Sequence, residues 1–295
     1  MIYRRKVMKK LLAIVLTCVT AVATLAGCGS EKSASGTKQA KVIDVDLTEE
    51  EYAFGVDKTQ PELLAKTNEF IAEIKANGTF DEICDRYFGS GTPVGVQSAA
   101  LDDSKDQLVV ATNAAFEPFE YMQGDSYYGI DMEIAAALAE YLGKELVIQN
   151  MDFDAVCLSV GQQKCDIAMA GLTIKEDRKE YVDFTDPYYS ASQRLITLAS
   201  DTDFDDCKDA AAVEEKLNEK IAAGSVKIGV QNGTTGQFYV EGDESWGFAG
   251  FDGVESVAYK NGSLAVQDLL NGNIQYVIID SAPAKCITDS MNKMQ

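Results

Sequence analysis

The chain is predicted to fold as an α/β protein with largely parallel sheets, and three observations carry the prediction. From Gln107 onward, short apolar runs rich in β-branched residues alternate with helical patterns, the arrangement in which helices cover open sheets. The helical patterns stop at glycine, as at Gly143. The residues best able to grip a ligand fall just after strand ends, where open α/β sheets hold their ligands.

Residues 1–27 stand outside the fold. "MIYRRKVMKK" is cationic, and "LLAIVLTCVTAVATLAGC" is an apolar run ending in small residues, which together read as a secretory signal peptide. The run is short for a spanning helix, which needs about 20 apolar residues. Leu25-Ala26-Gly27-Cys28 resembles a bacterial lipobox, so Cys28 is expected to be lipidated and to become the first residue after cleavage. Residues 28–40, rich in Ser, Gly and Lys, read as a flexible tether.

Composition limits what the exported part does. The formal net charge is −21, and loss of the five basic residues of 1–27 takes it to about −26. Such a body is repelled by anionic lipid and by nucleic acid, which leaves the anchor as its membrane contact. The sequence contains no His, which excludes His-ligated metal sites and His-dependent catalytic triads, and nothing in it calls for a cofactor. Cys84, Cys157, Cys165, Cys207 and Cys286 are odd in number and lack a C-x-x-C spacing. One disulfide is allowed in an exported protein, with buried free thiols the expectation for most of them.

The stretch 47–91 reads as a short strand, a helix, a Gly break and a second helix. Thr59-x-x-Glu62 fits a capping box with Pro61 in the first turn. Leu63, Leu64, Thr67, Phe70, Ile71 and Ile74 form one face, and Asn77-Gly78 ends the helix. The second helix is expected to bury Phe80, Ile83, Tyr87 and Phe88. Further on, strands are expected at 108–112, 145–149, 165–171, 194–199, 226–231 and 274–280, and helices at 131–142, 209–222 and 263–270.

Four segments carry chemistry. "ATNAAFEPFEY" follows the first of these strands and brings Phe116, Phe119 and Tyr121. "AMAGLTIKEDRKEYVDFTDPYY" sets Gly171 and Thr173 at a strand end, with Arg178 five residues beyond Thr173. "GVQNGTTGQF" places Gly233-Thr234-Thr235 where a strand turns into a helix, and "YVIIDSAPA" ends a buried strand in Asp280. An Arg fork matches a carboxylate, the Gly-Thr-Thr turn offers N–H groups and hydroxyls to an anion, a strand-end carboxylate suits an ammonium, and aromatic faces cover the rest. Together they describe a site for a free α-amino acid. Singly, each has an ordinary reading: a surface ion pair for Arg178, a helix cap for Gly-Thr-Thr, the N-cap of "SAPAKCI" for Asp280, and core for Phe116 and Phe119.

In this order the segments "VATNAAFEPFEY…YYGIDMEIAAALAEYLG…MDFDAVCLSVGQQKCDIAMAGLTIKEDRKEYVDFTDPYY…IGVQNGTTG…YVIIDSAPA" resemble the polar amino-acid substrate-binding proteins of bacterial ABC importers, the family 3 extracellular solute-binding proteins, over nearly all of 107–295. The resemblance implies a periplasmic-binding-protein-like (type II) α/β fold, two lobes joined by a hinge and closing on one ligand. It implies that Arg178 grips the α-carboxylate with Thr173 and the turn at Thr234 and Thr235. Gly171 and Asp280 receive the α-amino group, and Phe116 and Phe153 sandwich the side chain. Asn113 stands where many binders of basic amino acids carry Asp, a departure that puts a cationic side-chain preference in doubt, while Glu117 and Glu120 offer acidity nearby. The implied protein is a monomeric, lipid-anchored receptor outside the cytoplasm that delivers a free polar amino acid to an ABC permease. The rival readings are an amino-acid sensor acting through a partner, and an enzyme on the same fold such as a small-acid dehydratase. The enzyme needs a poised general acid, whereas these residues look like clamps.

In that family a return strand and two helices ending in "YFG" come last, whereas here that pattern comes first. The chain is therefore expected to be circularly permuted. The first lobe would span 48–196, made of the family's C-terminal segment (41–89), an exposed joining loop (90–106) and the family's N-terminal segment. The second lobe would span 197–295, with a possible added strand at 41–45. Neighbouring surface termini make such rearrangement tolerable.

Overall fold

The computed structural model describes residues 38–294. The expected signal peptide, Cys28 and most of the expected tether lie outside the described residues.

Two five-stranded sheets organise the described residues. In the first, the order is Val182–Phe184, Gly55–Asp57, Ile167–Ala168, Gln107–Thr112, Glu145–Asn150. Gln107–Thr112 runs parallel to Glu145–Asn150 and to Ile167–Ala168, whereas Gly55–Asp57 is antiparallel to both its neighbours. In the second, the order is Ala40–Val42, Gln193–Leu198, Tyr276–Asp280, Lys227–Gln231, Glu255–Tyr259. The last three are mutually parallel and the first two antiparallel. Gln193–Leu198 lies wholly in the second sheet, so the passage between sheets precedes position 196, the boundary expected from the sequence.

The chain crosses between the sheets twice, and the two crossings are paired. Glu50–Tyr52 runs antiparallel to Tyr189–Ala191. Ala40–Val42 runs antiparallel to Gln193–Leu198, and between these pairs the Ile43 and Leu47 amides donate to the carbonyls of Leu195 and Gln193. At the edge, Ala40 exchanges hydrogen bonds of 2.9 and 2.8 Å with the Asn292 side chain near the end of helix Ser281–Lys293.

The N-terminal stretch is built into the first lobe. Helix Pro61–Ala76 buries Leu63, Thr67, Phe70, Ile71 and Ile74, while Leu64 is half-buried. Helix Thr79–Phe88 follows Gly78, whose φ of 85° suits glycine. Their apolar residues share a core with Leu108, Val110, Ile130, Ile134 and Leu138. Tyr87 donates to Glu133 at 2.5 Å, and Arg86 pairs with the same carboxylate. Helix Ile130–Leu142, covering this sheet, ends in a left-handed Gly143.

Several local expectations are corrected. The helix begins at Gln60 as its cap, without a capping box. The Thr59 amide and hydroxyl both turn back to Asp57, a tight turn that competes with capping. Phe88 is 48% exposed, since it stacks on Tyr189 beside the crossing strands at 5.8 Å instead of entering the core. The joining segment 90–106 is pinned rather than wholly exposed: Val96 is buried and exchanges backbone bonds of 2.7 and 2.9 Å with Tyr127. The run 165–171 forms a strand only over Ile167–Ala168, flanked by the Asp166 and Met169 amides, which donate to the Val109 and Ala111 carbonyls at 2.8 and 2.9 Å. Glu255–Tyr259, the hairpin region Ala115–Tyr128 and helices Val156–Gly161, Thr235–Glu241 and Ser281–Lys293 complete the framework.

Candidate functional site

The predicted residues converge where the lobes meet. Arg178 begins a short 3-10 turn and is only 9% exposed. One guanidinium nitrogen donates to the Thr173 carbonyl at 2.7 Å, and the other reaches across to the Gly233 carbonyl at 3.2 Å. Its carbon lies 5.2 Å from the centroid of the half-buried Phe153. Among the described residues it makes no ion pair with a carboxylate. A buried charge ordinarily has such a partner.

The hydroxyls of Thr173 and Thr235 lie 3.3 Å apart, also across the seam. Thr234 occupies the N-cap position of its helix, but its hydroxyl donates to the Gln231 carbonyl at 2.8 Å instead of capping. Asn113 donates to the Met151 carbonyl at 2.7 Å and accepts from Gln231 at 3.4 Å. It therefore works as a neutral link between the lobes.

Asp280 stands at the N-cap position of Ser281–Lys293 without making a cap bond. It accepts a hydrogen bond of 2.5 Å from Tyr52. Burial, reinforced by the nearby Glu50 carboxylate, pushes Asp280 up to about 7, against the Tyr52 hydrogen bond. Gly171 adopts φ +54°, and a Cβ there would stand 2.9 Å from the Phe116 ring, so glycine is required both by conformation and by packing. Its amide donates to Asp131 at 2.9 Å. Burial likewise pushes Asp131 up to about 7, opposed by hydrogen bonds from Tyr188 and Gly171.

Glu120 is fully buried, and neither carboxylate oxygen has a hydrogen-bond partner among the described residues. Burial and the neighbouring Asp131 and Asp280 push it well above the usual carboxylate range. Glu117 is half-buried, raised by burial and opposed by Lys293. The two glutamates of "FEPFE" thus face different surroundings, Glu120 toward the buried acids and Glu117 toward the last helix.

Sequence reasoning missed several members of the site. Tyr52 and Glu50 come from the N-terminal stretch, far away in sequence. Glu50 accepts from Thr173 at 2.7 Å and Gln193 at 2.9 Å, which ties the crossing strands to Thr173. Asp131 was readable as an acid at the start of an apolar helix. The larger concavities, about 900 Å³ over the crossing strands and about 730 Å³ on the outer face of the first lobe, contain none of the predicted residues. The seam is the better candidate because opposed charges, hydroxyls and aromatic faces are buried together there.

Residues 108–280 match the bacterial extracellular solute-binding proteins, family 3. The chain belongs to this family. Its two-lobed α/β architecture is the type II periplasmic-binding-protein fold of the family's solved relatives. The arginine-binding extracellular protein ArtP of Bacillus subtilis is 35% identical over 106 residues, 36% of this chain and 42% of that one. A probable histidine-binding protein of Neisseria gonorrhoeae is 30% identical over 176 residues, 59% of this chain and 58% of that one. The chain thus spans about half the length of these curated relatives. The structure of holo ArgBP from T. maritima superposes with a TM-score of 0.54 at 30% identity, covering 65% of this chain and 77% of that one. An ancestral amino acid-binding protein, a precursor of cyclohexadienyl dehydratase, superposes with a TM-score of 0.53 at 27% identity, covering 72% of this chain and 78% of that one.

Proposed function

We propose that the chain is a receptor for a free amino acid, held between its lobes and passed to an ABC permease. The observation that carries this reading is Arg178, a buried guanidinium bonded among the described residues only to carbonyls, set in one seam with the buried carboxylate of Asp280. The ligand's carboxylate would complete Arg178, with Thr173, Thr234 and Thr235 beside it. Its ammonium would lie between Asp280 and the Gly171 carbonyl, and Phe116 and Phe153 would cover the side chain. The names of the relatives support the same class. A thermal-shift screen of the protein against the twenty amino acids tests the proposal, and the absence of any stabilising amino acid would defeat it.

The side chain of the ligand is proposed to be cationic. Glu120 offers two unpartnered oxygens in a buried acidic group, a surrounding that favours a positive charge and restores the acidity that Asn113 lacks. Glu120→Gln is expected to weaken L-arginine at least tenfold in calorimetry while leaving L-glutamine within about threefold. Equal losses for both would make Glu120 a packing residue.

The receptor is further proposed to be exported and lipid-anchored through Cys28, on the strength of the Leu-Ala-Gly-Cys ending of the apolar run. Cys28→Ser should move the protein from the membrane fraction to the soluble one. An unchanged distribution would remove the anchor.

We also infer a circularly permuted chain order. Gly55–Asp57 sits inside the first sheet between strands that begin at residues 167 and 182, although it precedes the family-matched region 108–280. The Ala40–Asn292 contact supports the reading, since it brings the start of the moved segment against the helix that precedes it in the usual family order.

A further inference from the structure

We infer that Lys175 is a positioning residue for the ligand clamp: its ammonium crosses the seam and locks the Thr173–Arg178 segment to the second lobe through a box formed by Phe238, Trp246 and Asp243. The inference rests on the reading of the seam as the ligand site.

Lys175 lies two residues after Thr173 and three before Arg178, and its side chain is only 3% exposed. Lysine is almost never buried so far without partners. Here the ammonium stands 3.4 Å from the Phe238 ring centroid and 5.2 Å from that of Trp246, and 3.1 Å from an Asp243 oxygen. All three belong to the second lobe. Its one carboxylate partner in the first lobe, Asp177 at 3.3 Å, is 55% exposed. Aromatic faces attract a cation more strongly once water is removed, so the ammonium gains most when the lobes are together.

The box is held by its own lobe. Asp243 accepts from the Ser245 amide at 2.9 Å and hydroxyl at 2.5 Å, contacts that with Lys175 hold its carboxyl below the ordinary range. Asp243 and Phe248 form an antiparallel bridge, Trp246 stacks on Phe248 at 5.4 Å, and Phe248 meets Tyr239 edge-on at 5.3 Å. None of these contacts involves Lys175. The lysine can therefore leave into water while the box keeps its form, which is the behaviour of a latch rather than of a core residue. By joining at a point between Thr173 and Arg178, it fixes both clamp residues against the Gly233–Thr235 turn whenever the lobes are closed. The other ion pair across the seam among the described residues, Lys260–Asp152, is exposed.

Trp246 is the sole tryptophan of the sequence, so its fluorescence reports on the box. Lys175→Met is expected to raise the acrylamide quenching of Trp246 at least twofold and to enlarge the radius of gyration measured by small-angle scattering. Lys175→Arg should restore both. With L-arginine as probe, Lys175→Met should speed dissociation about ten- to a hundredfold and leave association within about threefold. Asp243→Ala should act in the same direction, and the double variant should dissociate no faster than Lys175→Met alone. Unchanged quenching and scattering in Lys175→Met would overturn the latch, as would additive effects of the two substitutions. Failure of L-arginine to bind the parent protein would count against the ligand reading alone, because quenching and scattering need no ligand.

Discussion

Removal of residues 41–89 is expected to abolish cooperative folding of the first lobe. The segment supplies an internal strand, Gly55–Asp57, and two helices whose Phe70, Ile71, Ile74 and Ile83 are at most 4% exposed. It also supplies Tyr52 and Phe54, among the most deeply buried large side chains. Each such side chain contributes about 1.5–3 kcal/mol when buried. Six of them contribute about 9–18 kcal/mol, as much as the whole net stability of an ordinary domain, about 5–15 kcal/mol. The strands on either side would be left with open edges. Chemical unfolding followed by circular dichroism should show a broad, non-cooperative loss. A rearranged chain carrying 41–89 after Gln295, with the tether joined to Gln107, should regain cooperative unfolding and amino-acid binding. If the shortened protein unfolds cooperatively and binds as the parent does, the segment is an appendage and the permuted order is wrong.

Arg178→Ala is expected to lower amino-acid affinity by about 2–5 kcal/mol, roughly thirty- to several-thousandfold, since truncating one partner of a buried charge pair leaves the other unpaired. The effect on the fold should have the opposite sign or be small. Among the described residues the Arg178 guanidinium hydrogen-bonds only to the carbonyls of Thr173 and Gly233, so its removal relieves a buried charge at the cost of two neutral acceptors. Melting without ligand should therefore shift little, while calorimetric affinity collapses. A large drop in melting temperature with affinity preserved would make Arg178 structural.

Most of the sheet framework was legible because buried parallel strands write themselves as β-branched runs, as at 108–112, 226–231 and 274–280. Glu255–Tyr259 was not, since it is an edge strand and only half-covered. The meeting of Arg178, Thr173 and Asp280 at the seam was legible because they follow strand ends, where open α/β folds bring loops together. Tyr52, Glu50 and Lys175 were not legible. Their roles arise from contacts with Asp280, Gln193 and Asp243, and no local pattern encodes partners 228, 143 or 68 residues away. The capping box failed for a related reason: Thr59 had a competitor in Asp57 that a motif does not weigh.

The pairing of the two crossing strands limits how the lobes can travel. Strands joined by a hydrogen-bonded ladder bend readily out of their common plane, but sliding or fanning apart breaks the ladder. Residues 40–52 and 189–198 therefore act as a strap with one soft direction. Any movement of the lobes is therefore expected to be a rotation about an axis through that strap, described by one angle. Distances across the seam, such as that between Thr173 and Thr235, would then change together with that angle.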